Sequence, residues 1–94
     1  MTNEHPLPRE QARQVCRNLG ALATRLNVAQ QTITKKTGYL QPNIARLYSG
    51  RVSPRIKLIY AILQAINESA STNYILRGVE FVEGSVTDSN VDKD

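Results

Sequence analysis

Among the 94 residues there is one cysteine, Cys16, and one histidine, His5, and each scarcity closes off a class of chemistry. With a single thiol no intrachain disulfide can form. Cys16 falls at the apolar spacing of the first helical pattern, which suits a buried structural thiol better than a redox or metal site. His5 lies in a polar, proline-bearing N-terminal stretch, MTNEHPLPRE, so a Ser-His-Asp triad or a His-based metal cluster lacks its other members. No P-loop and no G-x-G-x-x-G occurs, and most of the eight carboxylates lie toward the C-terminus, where acid-base chemistry would lack a shaped pocket. Neither an enzyme, a cofactor nor a metal is expected. The longest apolar run, Leu58 to Leu63, is far too short to cross a bilayer, so the chain is expected to be cytoplasmic, with no membrane partner.

Acidic residues are missing from one long interval. Between Gln11 and Lys57 the charges are Arg13, Arg17, Arg25, Lys35, Lys36, Arg46, Arg51, Arg55 and Lys57, with no Asp or Glu among them. The sign then reverses: Glu80, Glu83, Asp88, Asp92 and Asp94 are opposed over that stretch by Lys93 alone, and the net charge of +4 conceals this asymmetry. A basic body attracts phosphate and supplies the salt-dependent, sequence-independent part of nucleic-acid affinity.

What is present is a set of short amphipathic patterns. Ala12, Val15, Cys16, Leu19, Leu22 and Leu26 recur at spacings of three and four and predict a first helix over about Pro8 to Leu26; Gly20 weakens it by about 1 kcal/mol relative to alanine without ending it. Two further helices are predicted at Ala29 to Thr37 and Gln41 to Ser49. In the first of these Ile33 and Thr37 share a face, and in the second Ile44 and Leu47 do. Gly38 lies between them as a left-handed closing residue, Tyr39 supplies an apolar body in the turn, and Pro42 suits a first helical turn. Gly50 closes the second. A fourth helix, Pro54 to Asn67, is read with Ser53 as its cap, Pro54 opening it, and Ile56, Ile59, Ile62, Leu63 and Ile66 inward. Helices this short recover little of their nucleation cost alone and must dock on one another. Two of them joined by a tight turn are a helix-turn-helix, which points to DNA.

On Gln30, Ile33 with Thr34, Gly38, Tyr39, Ile44 with Leu47, Gly50 and Pro54, the chain resembles the Cro and phage-repressor type of helix-turn-helix, the XRE-like regulators. The resemblance runs without a gap from Gln30 to about Ile66. Thr34 stands where the family usually has Ala, Leu40 where it has a polar cap, and Tyr48 where an acidic residue is common. The resemblance implies an all-α domain of four to five helices, lambda-repressor-like, over residues 8–78. A flexible stretch, 1–7, would precede it, and a C-terminal extension with an acidic tail, 79–94, would follow. A chain of this length is expected to leave no room for a second catalytic or ligand-sensing domain.

After Asn67 two readings stand. Ser71 to Gly78, STNYILRG, resembles the short fifth helix of the family, whereas Tyr74 to Glu83, YILRGVEFVE, has the β-branched and aromatic content of a strand or hairpin. The favoured expectation is a short helix followed by an extended segment. From Gly84 onward the composition reads as a disordered tail.

The resemblance also implies roles. The second motif helix would lie in the major groove, with Gln41, Pro42, Asn43 and Arg46 against base edges. Gln and Asn pair with adenine, Arg with guanine, and Pro42 would touch a thymine methyl. Gln30, Lys35, Lys36, Arg51, Arg55 and Lys57 would hold phosphates. Double-stranded DNA, read at a palindromic operator by a homodimer, is the expected partner, and a transcriptional repressor of phage or mobile-element type the expected function. Leu58, Tyr74, Ile75, Val79 and Phe81 would form the dimer interface. The alternative is an antitoxin or anti-repressor, whose C-terminal segment binds another protein; the same side chains could equally finish the monomer's own core.

Overall fold

A computed structural model describes residues 9–52 and 54–84. Four helices and one hairpin follow in order: α1 (Arg9–Arg25), α2 (Gln30–Thr37), α3 (Gln41–Tyr48), α4 (Ile56–Ala70), β1 (Tyr74–Arg77) and β2 (Glu80–Glu83). The expectations for residues 1–7, for Pro8, for Ser53 and for the tail beyond Gly84, Asp88, Asp92 and Asp94 among them, lie outside the described residues.

Each helix contributes one apolar stripe to a shared centre. Val15, Cys16, Leu19, Leu22 and Ala23 of α1 meet Ile33 of α2, Ile44 and Leu47 of α3, and Ile59, Ile62, Leu63, Ala65 and Ile66 of α4. α1 packs on α3 and α4, and α2 packs on the same two helices. Burying a Leu or Ile side chain contributes roughly 1.5 to 3 kcal/mol, so the two eight-residue motif helices are held by Ile33, Ile44 and Leu47 rather than by propensity. No helix among the described residues is long and apolar enough to cross a membrane.

Helix ends follow from left-handed residues. Gly38 has φ 83 and its N–H reaches the carbonyl of Thr34, which closes α2. Gly50, at φ 77, closes α3: its N–H bonds Leu47 O at 3.0 Å and the Arg51 N–H bonds Arg46 O at 3.4 Å, the paired bonds of a Schellman ending. Asn27, at φ 61, plays the same part after α1: its N–H bonds Thr24 O at 3.1 Å and the Val28 N–H bonds Ala23 O at 2.9 Å.

Two expectations about α4 are corrected. Pro54 does not open it: Arg55 is the N-cap, in an extended conformation, and the helix runs from Ile56 to Ala70, three residues past Asn67. Ile56, expected inward, is 43 % exposed because it falls on the first turn, before the stripe of Ile59, Ile62 and Ile66 reaches the core.

The short fifth helix over residues 71–78 is also overturned, since an antiparallel hairpin occupies that region, with Tyr74 opposite Glu83 and Leu76 opposite Phe81. The reason lies in α4. Ser71 adopts φ 56 and ends the helix, and the side chain of Asn67 then serves as a neighbouring strand would: its Nδ2 donates to Tyr74 O (3.0 Å) and its Oδ1 accepts from Tyr74 N–H (2.8 Å). Gly78, at φ 67, takes the first place of a two-residue turn where a positive φ is needed. Tyr74, Leu76 and Phe81 then share the face that packs on the core, with Val79 from the turn. The hairpin straddles the division expected between residues 78 and 79, so the packed body continues through β2.

Candidate nucleic-acid interface

α3 presents two sides of different chemistry. Ile44 and Leu47 are buried, whereas Gln41, Pro42, Asn43 and Arg46 are all exposed. Ala45 is exposed among them, although nothing in the local sequence pattern singles it out. Leu40 precedes them at 65 % exposure. It is the N-cap of α3 and offers no side-chain cap.

The starts of α2 and α3 are joined by one contact: Gln41 Nε2 donates to Gln30 Oε1 at 3.3 Å, although the residues are eleven apart in sequence. The spacing follows from the turn. Gly38 reverses the chain, the Thr37 hydroxyl donates to Ile33 O (2.7 Å) and accepts from Tyr39 N–H (3.2 Å), and α3 starts two residues later. Both helix N-termini, with their free N–H groups and positive dipole ends, therefore lie beside the same glutamine pair.

The basic residues divide by partner. Arg17 pairs with Glu10 at 3.6 Å and Lys36 with Glu68 at 3.5 Å. Lys36 is thus drawn toward α4. Lys35, Arg46, Arg51, Arg55 and Lys57 are exposed, and among the described residues none has a carboxylate within salt-bridge reach. Arg55 and Lys57 share a surface hollow with Tyr39 of the turn and Pro54. Arg17 lies over the end of α3: a side-chain carbon built on Gly50 would come within 2.6 Å of Arg17 Nη1. Arg17 therefore braces the helix that carries Arg46, a role the local sequence pattern does not signal.

Of the five residues expected between copies, four are half-buried against the monomer and one is exposed. Leu58, Tyr74, Val79 and Phe81 pack against the monomer's core. Asn18 Nδ2 donates to Val79 O at 2.6 Å, and the Arg25 guanidinium stands 5.8 Å from the Tyr74 ring centre, which ties the hairpin to α1. Ile75 differs. It is 46 % exposed on the other face of β1, and it lines a groove between α4 and β1 together with Tyr60, which is 51 % exposed.

Two ionisable groups are displaced by burial. The Cys16 thiol is pushed from 9.0 up to about 11 by loss of solvent, against a small opposing pull from the Arg17 guanidinium. The Tyr48 phenol is pushed from 10.0 up to about 12 by burial. Both hold their protons at neutral pH and act as packing groups.

No family model, curated protein or solved structure matches the chain.

Proposed function

We propose that the chain is a sequence-specific DNA-binding transcriptional regulator with a lambda-repressor-like arrangement of helices, reading the major groove with α3. The observation that carries this reading is the joining of Gln41 to Gln30 beside an exposed Gln41, Pro42, Asn43 and Arg46. The whole lies in an interval of the chain that has no acidic residue. An amide pair bridging two helix starts suits a surface on which one glutamine meets a base edge while the other meets the adjacent phosphate. Ile44 and Leu47 anchor α3 to the body, so its polar side is offered outward without cost to the core.

In this reading Arg46 and Asn43 read base edges with Gln41. Gln30, Lys35, Arg51, Arg55 and Lys57 neutralise phosphates, and Lys36 joins them only by giving up Glu68. Two copies on a palindrome would place their α3 helices about 34 Å apart, one turn of the duplex. With Tyr74, Val79 and Phe81 half-buried against the monomer's core, contact between copies would centre on exposed Ile75 and Tyr60. The same exposed pair would serve a protein partner in the antitoxin or anti-repressor reading.

Selection from a random duplex library with the purified chain tests the proposal. The expected result is an enriched half-site, repeated with two-fold symmetry at a spacing of about 10 base pairs. Recovery of no preferred sequence, with weak salt-sensitive binding alone, would remove the claim of specific readout.

A further inference from the structure

Leu40 is the most exposed of the large apolar side chains among the described residues, and it takes no part in the core. It also occupies a position where Ser, Thr, Asp or Asn is preferred, because their side-chain oxygen satisfies a free N–H of the first turn. The structure explains why that preference is relaxed here. Pro42, in the first turn of α3, has no N–H to satisfy, and the Asn43 N–H bonds the Leu40 carbonyl at 3.0 Å. Little is left for a polar cap to do. Position 40 is free to carry an apolar group, and the one it carries sits beside exposed Gln41 and Pro42 at the start of α3.

We propose that Leu40 is a specificity-determining residue that packs against the C5-methyl group of a thymine in the major groove; the inference rests on the DNA-binding reading above. Thymine alone among the four bases carries a methyl group on that edge, and an A·T pair shows it beside the adenine N6 and N7 that a glutamine recognises. A leucine side chain can neither donate nor accept a hydrogen bond, so the methyl is the one feature of the groove floor it can favour. Leu40 and Gln41 together would then read adjacent parts of an A·T-containing step, one by apolar contact and one by hydrogen bonds.

The test uses the selected site and copies in which each thymine in turn is replaced by deoxyuridine, which removes the methyl and nothing else. Burying one methyl contributes about a fourfold change in affinity. The wild-type chain is expected to lose about that factor at one thymine of each half-site. Leu40→Ser, which keeps the backbone bonds from the Asn43 and Ile44 N–H groups to the carbonyl of residue 40, is expected to bind the thymine and deoxyuridine sites equally, while Leu40→Met keeps the discrimination. Equal sensitivity in wild type and Leu40→Ser, or a flat deoxyuridine profile on a tightly bound site, would overturn the role of Leu40 and leave DNA binding standing. A chain that selects no site at all would overturn both.

Discussion

Gly20 of α1 lies directly under Tyr48 of α3: a side-chain carbon at Gly20 would stand 2.8 Å from both Cβ and Cγ of Tyr48. The glycine is the means by which two helices approach more closely than side chains allow. Its helical position gives it no special backbone role, and alanine would be favoured there by about 1 kcal/mol on propensity alone. Overpacking at a contact that includes Cβ, which cannot swing away, costs about 1 to 3 kcal/mol. Gly20→Ala is therefore expected to destabilise the fold by about 1 kcal/mol net, read from the urea midpoint. A rise in the midpoint would mean that α3 moves aside freely.

Alkaline pH should loosen the same region. Cys16 and Tyr48 keep their protons to about 11 and about 12 in the folded chain, whereas the unfolded chain releases them from 9.0 and 10.0. The unfolded state thus binds fewer protons in that window, and stability falls as pH rises through it, with no contribution from these groups below about pH 9. Cys16→Ala should flatten the decline measured by chemical denaturation between about pH 9 and 11, and Tyr48→Phe the decline between about pH 10 and 12. At pH 8 the fully buried Cys16 should react with a thiol reagent only as fast as the chain opens.

Thr34, where the resembling family usually has alanine, buries its hydroxyl with no hydrogen-bond partner among the described residues. Such a group costs about 1 to 3 kcal/mol. Removing it with Thr34→Ala also improves helix propensity and loses one methyl of packing. The expected net gain is about 1 kcal/mol in thermal or urea unfolding, with DNA affinity unchanged. A loss of stability would show that the methyl matters more than the hydroxyl.

Asn67 holds the hairpin to α4 through Tyr74 N–H, Tyr74 O and the Thr72 hydroxyl, the last at 2.9 Å. Asn67→Leu leaves the Tyr74 backbone groups without these partners and should cost about 2 kcal/mol. Amide exchange should rise first in β1 and β2 and leave α1 to α3 protected. Uniform acceleration throughout the chain would mean that the hairpin and helices unfold as one unit.

On DNA, Arg46 and Arg51 should behave differently although both are exposed arginines. Arg46→Ala is expected to cost about 1 to 3 kcal/mol on the selected site and to relax preference at one base pair. Arg51→Ala should weaken all sequences alike and reduce the salt slope by about one phosphate contact. Titrations on selected and random duplexes at several salt concentrations would separate them. Equal losses on both duplexes for Arg46→Ala would place that side chain on the backbone.

The helices were legible in the sequence because their signals are local. Spacings of three and four gave the inward faces of α1, α2 and α3, and Gly38 and Gly50 marked ends that only a left-handed residue closes readily. The row Gln41, Pro42, Asn43 and Arg46 comes from the family resemblance; the spacing of Ile44 and Leu47 adds that it lies on the side of α3 turned away from the core, where all four are exposed. The tertiary structure decided what depends on residues distant in sequence. A helix over STNYILRG and a hairpin over YILRGVEFVE compete for the same residues, and the choice fell to an amide on α4 and to the core face that Tyr74, Leu76 and Phe81 cover. Gly20 reads locally as a weak point, and only the packing of α3 sets Tyr48 against it; Lys36, expected at a phosphate, has Glu68 of α4 at 3.5 Å. A hydrophobic period records which way a side chain faces; which partner it meets depends on how helices remote in sequence pack together, and that is set by the volume and polarity of the whole core at once.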